Sequence, residues 1–291
     1  MKLSIVTINY NNRAGLQKTI ESVVNQSYKE IEYIVIDGGS VDGSVDVIKQ
    51  YDAYISYWAS EPDKGIYNAM NKGIVHATGD YCLFLNSGDC LHNANSISVL
   101  VSKLAGEDML MGRVQCVPSG RIAYSDISYP LTMLDFFKGS PVPHPACLIR
   151  RALFEEQLYD ENLKIVSDWK FFMTMIVSKN HSYKIVDDVV TDFLEEGLSS
   201  NKRLCELERS RTLKEFLPES IYADYKQIET GGVYEIEYYD AFFQDLKKYN
   251  RKGAEIIYKL AVRIVRIMSG FKKSLEFVED YKNHAFDEHL N

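Results

Sequence analysis

The chain of 291 residues reads as an α/β protein, with a mostly parallel central sheet flanked by helices and a helical C-terminal extension. Three observations predict this. Strand-like apolar runs alternate with helix-period segments through the first third of the chain, the order that a parallel sheet with crossover helices requires. Polar clusters stand where those runs end, the place at which open α/β sheets bind ligands. Beyond about residue 205 the strand pattern gives way to long helix-period stretches.

Leu3–Asn9 reads as the first strand. Residues 14 to 25 read as the first helix, because Leu16, Ile20, Val23 and Val24 share one face at helical spacing. Ile31–Asp37 follows as a second strand, residues 42 to 50 as a second helix, residues 53 to 58 as a third strand and residues 81 to 85 as a fourth. Ser167 and Asp168 are residue types that cap a helix over residues 169 to 176. Residues 202 to 220 and 234 to 291 read largely helical, so the expected organisation is a domain over 1–205 and an extension over 206–291.

Composition narrows the function. With 46% hydrophobic and 25% charged residues the chain is ordinary globular material. Its net charge of -8 argues against nucleic acid as a partner, since phosphate backbones are bound by clustered Lys and Arg. The apolar run from Leu3 to Ile8 passes straight into Asn9, Asn11, Asn12 and Arg13, which is no secretion signal, and no stretch approaches the length of a membrane span. Cys82, Cys90, Cys116, Cys147 and Cys205 are odd in number and contain no Cys-x-x-Cys, so they read as reduced thiols of a cytoplasmic protein.

The strand ends carry the chemistry. After the first strand, Thr7, Asn9, Tyr10 and Asn11 offer hydroxyl, amide and aromatic groups to a nucleoside, although Asn is equally at home in a turn or helix cap. After the second, the Asp37 carboxylate stands at the sheet edge to accept hydrogen bonds from a base or ribose, and Gly38 and Gly39 let the backbone turn or approach a ligand. Ser40 and Asp42 also suit the cap of the following helix. The segment has no Walker Gly-Lys-Ser/Thr, no Gly-x-Gly-x-x-Gly and no calcium-loop spacing.

Thr7-Ile8-Asn9-Tyr10-Asn11 followed by Ile36-Asp37-Gly38-Gly39-Ser40-Val41-Asp42-Gly43-Ser44 resembles the inverting GT-A glycosyltransferases of family 2, bacterial polysaccharide type. Ser60-Glu61-Pro62-Asp63-Lys64-Gly65-Ile66-Tyr67-Asn68-Ala69-Met70-Asn71-Lys72-Gly73-Ile74 is similar to that family's Glu-x-Asp-x-Gly-Ile-Tyr-Asp-Ala-x-Asn-Lys-Gly block. The resemblance spans residues 3 to about 200, with the motifs in the family's order.

The resemblance implies a GT-A fold and a set of roles. Asp63 is expected to contact the nucleotide or donor sugar, while Lys64, Tyr67 and Asn71 stand where a loop enters a helix and a diphosphate or ribose is met. Asn86-Ser87-Gly88-Asp89 occupies the place of the family's Asp-x-Asp element, with Asn86 and Ser87 toward the donor. Asp89 is the carboxylate left to hold a divalent cation, Mn2+ or Mg2+, across the donor phosphates, so fewer carboxylates remain than the family pattern often has. His144, within Val142-Pro143-His144-Pro145-Ala146, is expected to complete the cation's shell or meet the phosphates or acceptor. Asp168 matches the family's catalytic base, which takes the proton of the acceptor hydroxyl.

In residues 247 to 273, nine Lys or Arg face a single acid, Glu255, in a helix-period pattern with one apolar face. Such a helix suits either an anionic inner leaflet, where lipid-linked acceptors are found, or packing on the preceding domain. The resemblance implies a nucleotide-sugar donor, expected to be a UDP-sugar, and a glycan or lipid-linked acceptor, to which the basic helix adds contact with the inner leaflet. A sugar-nucleotide-binding protein without transferase activity is the competing class. A sugar-1-phosphate nucleotidyltransferase is disfavoured, because Tyr10-Asn11-Asn12-Arg13 lacks the Gly-rich loop that such enzymes show after the first strand.

Overall fold

The computed structural model describes residues 1–124, 130–195, 197 and 201–229. The chain divides into two units, Met1–Tyr222 and Ala223–Asn291, and of the second only residues 223–229 are described, as helix. The helix expected over residues 234 to 291, with its basic segment 247 to 273, lies outside the described residues.

In the first unit the strands are β1 (Leu3–Asn9), β2 (Ile31–Asp37), β3 (Tyr57–Ser60), β4 (Tyr81–Asn86), β5 (Cys90–Leu91), β6 (Met109–Val117), β7 (Ile122–Ala123), β8 (Cys147–Arg150) and β9 (Tyr183–Leu194). They form one mixed sheet in the order β3-β2-β1-β4-β8-β6-β9-β5, with β7 beside β6. β1 pairs in parallel with β2 and β4, and β2 with β3, whereas β8 runs antiparallel to β4 and β6. The helices are α1 (Arg13–Val24), α2 (Ser44–Gln50), α3 (Ile66–His76), α4 (Ser96–Ser102), α5 (Met133–Lys138), α6 (Leu153–Glu156), α7 (Ser167–Met173) and α8 (Lys202–Phe216), and α9 (Glu219–Glu229) crosses the unit boundary.

The physical basis is plain in the first three parallel strands. All seven residues of β1 are buried, as are six of seven in β2, which is why both read as near-continuous apolar runs. α1 lays Leu16, Ile20 and Val23 on the sheet, and Asn12 caps it by accepting the Gly15 N–H at 3.1 Å. α3 approaches β1 closely at Gly73, where a β-carbon would come within 2.4 Å of Val6.

Register fixes the site. Asn9 pairs with Asp37, Asp37 with Ser60, and Ile8 with Asn86, so the polar ends of four strands form one row along the carboxyl edge of the sheet. The strand expected at residues 53 to 58 is shorter and later: Asp52–Tyr54 turns as a 3-10 helix, with Tyr54 exposed, and pairing with β2 begins only at Tyr57. The compact unit also extends beyond residue 205 and takes in α8.

Candidate donor and catalytic site

Three loops meet at one end of the polar row. A β-carbon at Gly38 would lie 2.5 Å from Asp63 Oδ2 and 3.2 Å from the Tyr10 ring, so the loops after β1, β2 and β3 converge there and a larger residue would displace the Asp63 carboxylate. Asp63 is held by the Gly65 N–H on Oδ1 at 2.8 Å, and Tyr10 is 66% exposed, leaving its ring open for stacking. Asn11, in the left-handed region that Asn tolerates at φ 48°, donates its N–H to Ser40 Oγ and accepts the Val41 N–H. Lys64 stands exposed on the same rim.

Beneath this rim Asp37 has no exposed surface. Its oxygens accept the Asn9 amide at 2.7 Å, the Ser40 N–H at 2.9 Å and the Ser40 and Ser60 hydroxyls at 2.6 Å each. Burial works to raise its pKa, but the hydrogen bonds from Ser40, Ser60 and Asn9 prevail and hold it below the usual carboxylate range. Asp37 thus organises the loop from within. Thr7 is likewise wholly buried, its hydroxyl accepting from Tyr33 at 3.0 Å, and it offers nothing to a nucleoside. That expectation is corrected: both faces of β1 are covered, so a strand hydroxyl finds its partner on the neighbouring strand.

Along the row from the rim lies a cavity of 530 Å³, whose walls include Asn12, Tyr67, Asn86, Ser87, Asp89, His144, Asp168 and Trp169. Asn12 joins rim to cavity by donating its amide to the Ser87 carbonyl at 2.8 Å. The sequence reading chose its neighbour Asn11 and passed it over.

Asp168 stands in the first turn of α7 with both oxygens facing partners. The Tyr67 hydroxyl is 2.7 Å from Oδ1, and His144 Nδ1 is 3.6 Å from Oδ2. Tyr67 also reaches the Ile165 carbonyl at 2.5 Å. His144 is buried, and burial lowers its pKa against the opposing pull of the Asp168 charge, so the ring is neutral near pH 7. Its Nε2 is 2.9 Å from the buried Tyr159 hydroxyl. Because the carboxylate facing Nδ1 can only accept, we assign the ring proton to Nδ1, and Tyr159 then donates to Nε2.

This arrangement bears on a cation. Nε2 faces Tyr159 at 2.9 Å and Nδ1 faces Asp168 at 3.6 Å, a setting that favours positioning the carboxylate over the cation shell expected from the sequence. Asn86 and Asp89 fit better. Asn86 Oδ1 is buried with no hydrogen-bond partner among the described residues. Asp89 is 4% exposed, its carboxylate accepts the Leu194 N–H at 3.1 Å, and burial pushes its pKa up to about 7. An orphaned amide oxygen and a buried carboxylate are oxygen donors of the kind that a hard divalent ion takes. Among the described residues no group of three or more His, Cys, Asp or Glu gathers as a metal cluster.

Asn71 serves the framework. Its amide donates to the Tyr159 carbonyl at 2.9 Å and to Glu161 at 3.0 Å, and accepts the Tyr159 N–H at 3.1 Å. It clamps α3 to the segment leading into α7, so the expected donor contact is replaced by positioning. Glu208 of α8, absent from the sequence reading, accepts the Lys164 N–H at 2.8 Å and the Ile165 N–H at 2.9 Å and holds the same segment from the other side. Trp169 donates to the Gly139 carbonyl at 2.8 Å and is 2% exposed, tying α7 to the end of α5.

Fold and site together define a GT-A-type glycosyltransferase. The chain belongs to the Glycosyl transferase family 2, whose sequence profile matches residues 4–158. It is 35% identical over 179 residues to the uncharacterized glycosyltransferase Rv1514c of Mycobacterium tuberculosis, covering 59% of this chain and 67% of that protein. Among solved structures, TarS of S. aureus superimposes with a TM-score of 0.58 at 19% identity over 80% of this chain, which spans 43% of TarS. Its residues 1–349 have been solved in complex with UDP-GlcNAc. The mannosyltransferase PcManGT of Pyrobaculum calidifontis, solved in complex with GDP-Man and Mn2+, gives a TM-score of 0.54 at 13% identity over 99% of this chain and 88% of its own. At these identities the two structures speak for the fold.

Proposed function

We propose that this glycosyltransferase acts with inversion, moving a sugar from a UDP-sugar to a hydroxyl of a glycan or lipid-linked glycan in cell-surface polysaccharide or glycolipid synthesis. The observation that carries the reading is the Asp168 carboxylate, set between Tyr67 and His144 in the cavity that also receives Asn86, Ser87 and Asp89.

The rim suits the nucleoside, with the Tyr10 ring to stack on the base and Asp63 to accept ribose hydroxyls, on a loop that Asp37, Asn9 and Ser40 keep in shape. The diphosphate then falls toward Ser87 and Asn86. Where Mn2+ or Mg2+ is bound, Asn86 and Asp89 hold it, and it offsets the charge gathering on the departing diphosphate.

Asp168 takes the proton from the acceptor hydroxyl as that oxygen forms its bond to the anomeric carbon. The bond from that carbon to the diphosphate oxygen breaks on the opposite face, its electron pair leaves with the nucleoside diphosphate, and the configuration inverts. Tyr67 and the Nδ1–H of His144 aim the carboxylate and steady its charge before the proton arrives. Both are positioning residues.

The test is calorimetric titration with UDP, GDP, CDP and ADP, in Mn2+ and then in EDTA. The reading expects one favoured base, UDP, bound more tightly with Mn2+. Failure to bind any of the four would contradict it.

A further inference from the structure

A second cavity, of 360 Å³, adjoins the one that holds Asp168, and Tyr124, Ser140, Pro145 and Phe193 line both. Its volume falls in the range of small-molecule sites, about 300 to 1,000 Å³. The sheet order separates it from the donor rim. Asn9, Asp37 and Ser60 close β1, β2 and β3 on one side of β4, whereas Val114, Ala123 and Phe193 of the second cavity stand on β6, β7 and β9 on the other. Tyr124 belongs to both walls. It holds φ at 63°, in the left-handed region that a bulky residue rarely enters, and the buried Arg113 donates to its carbonyl while pairing with Asp187 at 2.8 Å. Its hydroxyl bonds with Ser140, and burial, with the Asp168 charge adding to it, pushes its pKa up to about 12, so the phenol keeps its proton.

The lining has the chemistry of a sugar site. A pyranose ring carries C–H groups on its faces and hydroxyls around its rim, so it takes apolar and aromatic surface against the ring and hydrogen-bonding groups at the edge. Phe193, Tyr124, Val114 and Ala123 supply the first, and Arg121 with Glu195, 3.3 Å apart, supply donors and acceptors for the second. The Arg121 guanidinium also meets Cys116 Sγ at 3.2 Å, which seats the pair on the cavity wall. Among the described lining residues these two carry the charge, one of each sign, which suits an uncharged hydroxylated ring and not an anion. In-line displacement brings the acceptor from the side opposite the leaving diphosphate, and the second cavity lies across β4 from the donor rim. We infer that this cavity is an acceptor subsite, holding the sugar unit next to the one whose hydroxyl Asp168 deprotonates, an inference that rests on the transferase reading above. The acceptor is then a saccharide of at least two units, and Arg121 and Glu195 select it by the hydroxyls of the second.

Saturation-transfer NMR on the full chain is the test, with the methyl glycosides of glucose, galactose, mannose, rhamnose and N-acetylglucosamine as probes, each added in the presence of UDP and Mn2+. Transfer to the ring protons of at least one glycoside is expected. Arg121→Ala/Glu195→Gln should reduce it at least fivefold, with an unchanged melting profile and unchanged affinity for UDP. Ala123→Leu, which narrows the cavity from an apolar wall and leaves the charges in place, should reduce it as well. Transfer to none of the five glycosides, or transfer undiminished in both variants, overturns the subsite. Transfer that is seen without UDP and abolished by it also overturns the subsite, because the ring then occupies the donor's place. UDP titrations of the same samples report separately on the transferase reading: UDP bound with no glycoside sinks the subsite alone, and no nucleoside diphosphate bound sinks the reading beneath it.

Discussion

The Tyr67 hydroxyl lies 2.7 Å from Asp168 Oδ1, joining the first turn of α3 to the first turn of α7 across 101 residues of sequence. The same hydroxyl lies 2.5 Å from the Ile165 carbonyl, so its one proton is shared between the carboxylate and the backbone that presents it. Burial, with the Asp168 charge beside it, drives the Tyr67 pKa well up, and Tyr67 remains a donor throughout the working pH range.

Tyr67→Phe removes this donor while keeping the ring. We expect kcat to fall about tenfold, stability to drop by about 1 kcal/mol, and KM for the donor to stay within about twofold. Steady-state kinetics and urea unfolding provide the check, and an unchanged kcat would assign Tyr67 a purely structural part.

His144 and Asp89 are separated by their response to metal. His144→Asn is expected to lower kcat while leaving intact whatever rise in melting temperature Mn2+ gives the wild type. Asp89→Ala is expected to abolish that rise. Loss of the Mn2+ response in His144→Asn would return His144 to the cation's shell.

A carboxylate at the opposite end of β2 from Asp37 contributes to the acid sensitivity of the fold. Glu32 accepts from Lys2 Nζ, Ser4 Oγ, the Thr78 N–H and Thr78 Oγ1 at 2.6 to 2.7 Å. Burial opposes its ionisation, but these hydrogen bonds win and bring the pKa down to about 2. Because the folded value lies below the unfolded one, the stabilisation is complete above about pH 5 and is lost as pH falls toward 2. Allowing for screening at the half-exposed Lys2, it amounts to about 2 kcal/mol. Glu32→Gln should lose about that much at pH 7 and show a flatter decline of stability between pH 5 and 2, measured by chemical unfolding. An unchanged pH profile would remove Glu32 from this role.

The parallel half of the sheet was legible because strands buried on both faces are rich in β-branched and apolar residues, as Ile5, Val6 and Ile8 and the run Tyr33 to Ile36 show. The same double burial misled at Thr7, which looked like a ligand hydroxyl at a strand end and is satisfied by Tyr33. Gly38 and Asp63 were legible as types, though not as neighbours, since their meeting depends on three loops closing together. Tyr159 and Glu208 left no signal. Tyr159 reads as a core aromatic, and a Glu in an amphipathic helix reads as solvent-facing until the backbone N–H groups it accepts, 43 and 44 residues earlier, come into view. Asn71 was expected to meet the donor, and its amide works instead between two segments of the protein.

The most direct measurement is the rate of sugar transfer by Asp168→Asn beside its affinity for UDP. Removing the base alone should cut transfer by about 10² to 10⁴ while UDP binding stays within about twofold. Transfer at the wild-type rate would contradict the assignment of Asp168 as the base, and with it the mechanism built on the Tyr67 and His144 contacts.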